Sequence, residues 1–377
     1  MAPMGSGYAG SADPQIILSR RRLIHGSAAA VIAGASMRPA HAQPETGAWR
    51  ELPTEPFRGK QDDIFFLSRR LGWYGNGSGK LFRSTDGGDS WQEIWRQPGT
   101  FVRALGFIDE ANGFLGNVGT DYYPGVTDTN PLYRTRDGGL SWTPVEAPGI
   151  GILKGVCGID ILPQRRIFQG QLQTTSVIHA AGRVGGPAAM LRSLDGGDTW
   201  RVIDLRPHAG MILDVKFFDA DTGLVCAASS DTVDVSNALI LATHDGGESW
   251  TQVYRSARPF ENCWKMHFPT RAVGYATVQT YQDGAAQQLV VKTTDGGASW
   301  RELPLVNDAQ AREFGVGFVD ENRGWVGTAS GGFETRDGGA SWARVEMGRA
   351  VNKIRVVHEG PQFSAFAIGI QVNRLDG

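Results

Sequence analysis

The chain has little cysteine, with 3 residues in 377. A small exported protein held together by a disulfide framework carries more cysteines and an even number of them, so this class is excluded. We interpret Cys157, Cys226 and Cys263 as small, buried apolar residues. One pair could oxidise, but the sequence does not select which.

Long apolar runs and an excess of one charge are also missing. Beyond residue 42, no segment reaches the ~18 continuous apolar residues of a membrane-spanning helix. The formal net charge is -2, and no block of basic residues stands out. We therefore expect no transmembrane segment in the mature chain and no nucleic-acid partner.

Motifs for metal binding, phosphate binding and nucleophilic catalysis are absent as well. The sequence has no Cys-x-x-Cys pair, no phosphate-binding glycine loop and no Gly-x-Ser-x-Gly elbow. Beyond residue 42 the histidines are scattered singly, without metal-ligand spacing, at His179, His208, His244, His267 and His358. We predict no metal, no cofactor and no catalytic residue.

The N-terminal segment has the pattern of a twin-arginine signal peptide. Arg20 and Arg21 precede a weakly apolar run, and Ala40-His41-Ala42 fits a small-x-small cleavage site. A disordered basic tail is the alternative. The pattern predicts a signal peptide over residues 1–42, cleavage after Ala42, and a mature domain over residues 43–377. Such a domain would fold before export to the periplasm or the cell exterior.

Glycine and tryptophan are abundant, with 51 and 11 residues. Both are typical of β-rich proteins with tight turns and packed aromatic side chains. One pattern, Ser/Thr-x-Asp-Gly-Gly-x-Ser/Thr-Trp, occurs repeatedly at intervals of roughly 50 residues, the period of a four-stranded propeller blade. Its aspartates and tryptophans are Asp86, Trp91, Asp137, Trp142, Asp195, Trp200, Asp245, Trp250, Asp295, Trp300, Asp337 and Trp342.

The residues of this pattern suit a hairpin turn. The aspartate can accept backbone N–H groups, the two glycines allow positive φ, and the Ser or Thr before the aspartate can bond across the hairpin. The tryptophan can then pack between neighbouring strands. We interpret these residues as structural, since each aspartate lacks the second acidic neighbour of a metal site.

The ends of the chain predict how the ring closes. After the sixth repeat, the C-terminal stretch has enough residues for three strands but lacks the tryptophan. The N-terminal sequence Trp49–Pro53, WRELP, is identical to Trp300–Pro304, which follows the fifth repeat. We therefore predict an all-β, seven-bladed propeller of four-stranded blades, with the last blade closed by the N-terminal strand.

The fuller repeat resembles the blades of the photosystem II stability/assembly factor family. The resemblance is carried by Gly72–Gly75 with Leu81–Gly88, and by Gly324–Gly327 with Thr335–Gly339. It implies a non-enzymatic exported propeller that binds a newly made reaction-centre protein, in the thylakoid lumen if the host is photosynthetic. It also implies an arginine-rich contact patch. Blade three departs from the pattern, with RRIFQGQ in place of the glycine-aromatic step.

A basic patch is the candidate site. Alignment of the innermost strands places Arg103, Lys154 and Lys353 at equivalent positions, with Arg312 nearby. We predict that they form a patch at the channel mouth that receives an acidic or polar segment of an exported or membrane protein client. Ordinary solvated charge is the alternative. We expect the chain to act as a monomer.

The repeated aspartate pattern is the Asp-box, and a sialidase or another glycoside hydrolase with Asp-box repeats is the enzymatic alternative. Phe57-Arg58 supplies only half of the sialidase Phe/Tyr-Arg-Ile-Pro motif, and no arginine triad is evident. A two-carboxylate glycosidase needs its acids ~5–10 Å apart. The spacing singles out no pair among the loop acids Asp121, Asp128, Asp231, Asp234 and Glu261.

Overall fold

The computed structural model describes residues 47–168 and 171–377. They form seven sheets of four antiparallel strands each, and these sheets are the blades of a β-propeller. This confirms the predicted fold class. The predicted signal peptide, with Arg20, Arg21 and the cleavage point after Ala42, lies outside the described residues and remains a prediction.

Each of the first four blades is built from consecutive strands. Blade one contains β2 to β5, which are Asp63–Phe66, Gly72–Gly75, Lys80–Ser84 and Gln92–Arg96. Blade two contains β6 to β9, which are Val102–Phe107, Gly113–Asn117, Leu132–Thr135 and Thr143–Pro144. Blade three contains β10 to β13, which are Gly158–Phe168, Gln171–Ala181, Ala189–Ser193 and Arg201–Asp204. Blade four contains β14 to β17, which are Met211–Phe217, Gly223–Ala228, Ala238–Thr243 and Thr251–Arg255.

The remaining blades complete the ring. Blade five contains β18 to β21, which are Glu261–His267, Gly274–Thr280, Gln287–Thr293 and Arg301–Asn307. Blade six contains β22 to β25, which are Glu313–Phe318, Gly324–Thr328, Gly331–Thr335 and Ala343–Val345. Blade seven contains β26 to β28, which are Lys353–Glu359, Gln362–Ile368 and Val372–Asp376, and its outermost strand is β1, Arg50–Glu51.

The N-terminal strand closes the ring, as predicted. Arg50 pairs with Arg374 and Glu51 with Asn373 in an antiparallel register. The described helices are two short 3-10 turns, Ile150–Ile152 and Val233–Val235. In the described part of the chain, no helix is long and apolar enough to cross a membrane.

Burial decreases from the channel outward. In blade two, the innermost strand β6 is buried at every position, whereas both residues of the outermost strand β9 are exposed. The apolar clusters lie where neighbouring blades pack face to face, and each combines residues of adjacent sheets. The core is therefore a series of inter-blade layers.

Each aspartate of the repeat closes its own turn. In the first copy, Asp86 accepts hydrogen bonds from the Ser84 hydroxyl at 2.8 Å and the Ser90 backbone N–H at 3.0 Å. The Gly88 N–H donates to the Ser84 hydroxyl at 2.8 Å, and Gly87 and Gly88 have φ of 83° and 92°. The hydroxyl before the aspartate therefore bonds within the turn, whereas we had expected it to bond across the hairpin. The Ser90 hydroxyl bond is the main cause that lowers the pKa of Asp86 to about 2.

Aromatic stacks connect neighbouring blades. Trp73 of blade one lies flat on Phe107 of blade two, with 3.7 Å between ring centroids. The Arg83 guanidinium lies over the Trp73 ring, 5.8 Å from its centroid, and a Cβ on Gly113 would come within 2.4 Å of Phe107. Equivalent ring pairs are Tyr275–Phe318 at 3.7 Å and Phe366–Phe66 at 3.5 Å. Each such pair contributes about 1 kcal/mol beyond its burial.

Blade three keeps this stack with a different residue. His179 takes the place of the tryptophan or tyrosine and stacks on Phe217 of blade four, with centroids 3.4 Å apart. Its side chain is fully buried, and neither ring nitrogen has a hydrogen-bond partner among the described residues. Desolvation lowers the pKa of His179 to about 3, so the ring is neutral in the folded protein.

Candidate functional site

The ring has two faces with different roles. The face we call the turn face carries the turns between first and second strands and the Asp-box turns. The opposite face, the loop face, carries the connections between blades and between second and third strands. Four of the connections between second and third strands are long, at residues 118–131, 182–188, 229–237 and 281–286. Ligand sites concentrate on such loops because a rigid scaffold positions them.

Two of the four predicted patch residues meet at the acidic pair Asp62 and Asp63. The Arg103 guanidinium bonds the Asp62 carboxylate, and Lys353 Nζ lies 2.6 Å from Asp63 Oδ2. The Arg103 and Lys353 side chains are only 5% and 7% exposed. Burial raises the pKa of Asp62 more than the Arg103 charge lowers it, and burial lowers the pKa of Lys353. These two cations are compensated and enclosed.

The other two patch residues are more accessible. Lys154 is exposed between the Ile150–Ile152 turn and strand β10. Arg312 is half-buried, and its charge acts on Tyr281 of the neighbouring blade. Neither cation forms an ion pair among the residues whose side chains are described. The four residues therefore divide into a buried pair and two accessible cations, and their role in partner binding remains a prediction.

The remaining acids of the channel tie the blades together. Asp160 accepts a bond from Lys216 Nζ at 3.0 Å and from the Phe217 N–H at 2.8 Å. In the same way, Asp214 accepts a hydrogen bond from the Met266 backbone N–H at 3.1 Å. Innermost strands of adjacent blades do not share a sheet, so these side chains replace backbone pairing. They are structural groups and not free acids.

A group of aromatic side chains gathers on the loop face. Tyr123 stacks on Phe101 with centroids 4.6 Å apart, and Tyr122 contacts Tyr123 edge-on at 4.8 Å. Tyr122 is 40% exposed, which is unusual for so large a side chain in this protein. We call Phe101, Tyr122, Tyr123, Trp264 and Tyr281 the tyrosine mouth.

Blade five supplies the other side of the tyrosine mouth. Trp264 and Tyr281 pack with Met211 and Leu213 of blade four. Tyr281 is close enough to Tyr122 and Tyr123 to interact with them electrostatically, and burial raises its pKa. The loop of blade two and the loop of blade five therefore contribute to one aromatic surface.

A buried arginine holds the tyrosine loop in place. Arg183 of blade three donates to the carbonyl oxygens of Thr120 at 2.5 Å and Gly186 at 3.1 Å. It is only 6% exposed, and it joins the loops of blades two and three. Asp121, next to the tyrosines, has a positive φ of 71°. Sequence reasoning placed Asp121 on a loop but did not single out the tyrosines that follow it.

The five loop acids considered for catalysis are either already engaged or exposed. Asp128 accepts bonds from the hydroxyls of Thr100 at 2.5 Å and Tyr133 at 2.8 Å, and Glu261 pairs with Arg258 at 2.6 Å. The remaining loop acids, all exposed, are Asp121, Asp231 and Asp234. Within residues 47–168 and 171–377, no group of three His, Cys, Asp or Glu could hold a metal ion.

Fold and site together define a seven-bladed propeller with an elaborated, aromatic loop face. No family model matches the chain. Among curated proteins, it is similar to a xyloglucanase of Paenibacillus sp, 27% identical over 214 residues. That match covers 49% of this chain and 19% of the relative. The xyloglucanase Xgh74A of Acetivibrio thermocellus is 25% identical over 246 residues, covering 56% of this chain and 25% of that protein. The matched segment thus spans a quarter or less of these relatives.

Solved structures share the fold at low identity. YCF48 bound to D1 peptide has a TM-score of 0.59 and 15% identity, covering 89% of this chain and 96% of that chain. YCF48 from Cyanidioschyzon merolae also has a TM-score of 0.59 and 15% identity, with 87% and 98% covered. The GH74 xyloglucanase from Xanthomonas campestris has a TM-score of 0.52 and 11% identity, covering 85% of this chain and 59% of that chain. These likenesses establish the propeller fold.

Proposed function

We propose that this chain is an exported, non-catalytic propeller whose loop face binds a segment of a client protein to aid its assembly or stability. The tyrosine mouth is the observation that carries the proposal. It offers partly exposed aromatic side chains, and Arg183 anchors the loop that carries Tyr122 and Tyr123. Tyrosines on a rigid support provide contact area at low entropic cost, and they are enriched at protein interfaces.

The accessible cations define the preferred segment. Lys154 is exposed and Arg312 acts on Tyr281, so positive charge lies on the same face as the aromatic side chains. Uncompensated charge at the rim of an interface directs association toward partners of opposite sign. An extended segment with aromatic or apolar residues and acidic neighbours would fit both features. The YCF48 neighbour bound to D1 peptide supports the choice of a polypeptide ligand.

The acids on the loop face also favour binding over hydrolysis. A retaining or inverting glycosidase uses two carboxyl groups that converge on one bond. Here Asp62, Asp128 and Glu261 are occupied by cations or hydroxyl groups. A catalytic pair would have to come from exposed loop acids, which lack the enclosed setting that tunes a general acid.

Partner capture tests this function. A tagged chain would be crosslinked in its own host and captured proteins identified by mass spectrometry, beside a variant carrying Tyr122→Ala, Lys154→Glu and Arg312→Glu. We expect one exported or membrane protein to be lost in the variant and retained in Leu140→Ala, a control on the exposed turn face. Charge reversal at Arg103 or Lys353 is unsuitable, because it would break buried pairs with Asp62 and Asp63. Equal capture by all three chains would contradict the proposal.

Xyloglucan binding or hydrolysis is the second candidate function, and the similarity to xyloglucanases favours it. Asp231 lies near the Gly186 turn and Tyr122 near Gly185, so Asp121 and Asp231 are on neighbouring loops. Release of reducing ends from xyloglucan would be measured for the wild type and for Asp121→Asn with Asp231→Asn. Activity that depends on these acids would replace the binding proposal with an enzymatic one.

Export is part of the proposal and has its own test. We propose that the twin-arginine segment directs the chain to the periplasm, or to the thylakoid lumen of a photosynthetic host. Fractionation would compare the wild type with a variant carrying Arg20→Lys and Arg21→Lys. We expect the variant to remain in the cytoplasm at full length, and export of both chains alike would contradict the twin-arginine route. Size-exclusion chromatography of the exported form would test the expected monomer.

A further inference from the structure

Two of the three cysteines meet at the interface between blades four and five. Cys226 lies on β15, the second strand of blade four, and Cys263 on β18, the first strand of blade five. Their sulfur atoms are 2.9 Å apart. Carbon atoms in van der Waals contact rest at roughly 3.5–4.0 Å and sulfur is a larger atom, whereas a disulfide bond measures about 2.05 Å. The two sulfurs are thus closer than packing alone requires.

The surroundings of the pair are apolar and closed. Both cysteines have no exposed surface, and they pack with aliphatic side chains contributed by blades four and five. Strand β18 has a bulge between Cys263 and Met266, which locally alters its pairing with β19. Cys157, in contrast, lies at the start of blade three, where the Arg103 guanidinium is close to it. The structure therefore selects one pair from the three possible ones.

We infer that Cys226 and Cys263 form a disulfide that links blade four to blade five when the chain folds in the presence of a disulfide oxidant. The reaction joins the two sulfur atoms and removes one proton and one electron from each thiol. One molecule of glutathione disulfide, or an equivalent protein disulfide, accepts the two electrons and leaves as two thiols. A bond forms between Sγ atoms already in contact, and Cys157 remains a free thiol.

Burial sets when this reaction can happen. An oxidant cannot reach sulfur atoms with no exposed surface, and burial also raises the pKa of Cys226, which suppresses its thiolate form in the folded ring. Exchange must therefore occur while the interface between blades four and five is open. Once the ring has closed, the same burial protects the disulfide from reduction.

Refolding in a defined redox buffer tests the inference without reference to the host or the proposed function. The reduced, denatured wild-type chain would be refolded with excess glutathione disulfide, blocked with iodoacetamide in denaturant, and digested without reductant. We expect one crosslinked peptide pair joining Cys226 to Cys263, lighter than the separate peptides by two hydrogens, and alkylation only at Cys157. If the refolded chain has a native near-ultraviolet circular dichroism spectrum and all three cysteines are alkylated, the inference is overturned. A bridge that includes Cys157 would overturn it as well.

Thermal unfolding provides a second readout. The pair lies 37 residues apart in sequence, so the bridge should raise the unfolding midpoint of the oxidised chain by about 5 °C over the chain refolded with reductant. We expect Cys157→Ser to keep this difference and Cys226→Ser to abolish it. The result that contradicts the inference is a midpoint independent of reductant in both the wild type and Cys157→Ser.

Discussion

The turn face and the loop face of this propeller are built on different principles. On the turn face, the same residues recur at the same positions, and each aspartate, hydroxyl and glycine satisfies its neighbours within one turn. On the loop face, connections differ in length and composition from blade to blade. Its distinctive contacts, such as Arg183 with the Thr120 carbonyl, occur once.

We expect this difference to separate stability from the proposed binding. The repeated turns help to fix the spacing of the blades. Lys292, on the strand before the turn of blade five, donates a 2.9 Å bond from Nζ to the carbonyl of Gly338 in the turn of blade six. The loops of the loop face are attached to this rigid scaffold, so their sequences and lengths can differ without disturbing the ring. Substitutions on the turn face and in the inter-blade stacks should therefore reduce stability, while those at the tyrosine mouth should reduce partner binding. The predictions below test this division.

The largest stability effect is expected where a glycine lies beneath a stacked ring. A Cβ on Gly324 would come within 2.3 Å of the Phe318 ring, which Tyr275 holds from the other side. We expect Gly324→Ala to lower the free energy of unfolding by about 3 kcal/mol in a denaturant titration. Gly151→Ala on the loop face, where nothing lies within 4 Å, should change it by less than about 0.5 kcal/mol. Equal effects would contradict the division between the faces.

Acid should weaken the stack of blade three in particular. The pKa of His179 is about 3 in the folded chain, lowered by burial and by the Arg192 and Lys216 charges, against about 6.5 when unfolded. The unfolded state then binds more protons between these values, so stability is lost as the pH falls below 6.5. The loss amounts to at most about 1.4 kcal/mol per pH unit.

A variant isolates this contribution. We expect His179→Phe to keep the stack on Phe217. Between pH 7 and pH 4.5, its free energy of unfolding should fall by about 2 kcal/mol less than that of the wild type. His244→Asn, at an exposed turn position, should retain the wild-type pH dependence. Parallel pH profiles for the wild type and His179→Phe would show that the buried imidazole does not titrate as described.

An Asp-box aspartate should have a smaller effect on stability. Asp195 accepts bonds from the Ser193 hydroxyl at 2.8 Å and from the Thr199 hydroxyl and N–H at 2.6 and 2.9 Å. We expect Asp195→Ala to lower the free energy of unfolding by about 1 kcal/mol, since a cap-like set of bonds is lost at a partly exposed site. Asp234→Ala on the loop face is the matched control. A larger loss in the control would invert the expected ranking.

The smallest stability effect is expected at the tyrosine mouth. Tyr122 is 40% exposed and contacts the Tyr123 ring edge-on. We expect Tyr122→Ala to change the free energy of unfolding by less than about 0.5 kcal/mol and to weaken partner capture at least about tenfold. Unfolding and capture would be measured on the same preparation. A destabilised variant with unchanged capture would assign Tyr122 to the scaffold.

The fold was predictable because its determinants are local and repeated. The aspartate turns mark every blade but the last, and the match between WRELP at Trp49 and at Trp300 identified the strand that closes the ring. The site was less predictable because its determinants are contacts between blades. Alignment of the innermost strands with each other placed Arg103 and Lys353 at equivalent positions. It could not show that Asp62 and Asp63 neutralise them.

Other features of the site depend on loop conformation and on packing. The sequence places Asp121 on a loop, but the stacking of Tyr123 on Phe101 depends on how Arg183 anchors that loop. The role of His179 was hidden for a similar reason. Blade three lacks the glycine-aromatic step, and only the packing against Phe217 shows that an imidazole takes the aromatic position.

The central claim, that the loop face contacts the partner, is best tested by site-specific photocrosslinking in the native host. A photoreactive residue would replace Tyr122 on the loop face or, in a matched chain, Leu140 on the turn face of the same blade, which is 59% exposed. The account predicts a discrete crosslinked protein from position 122 and none from position 140. The same adduct from position 140 alone, or equal yields from both positions, would contradict it.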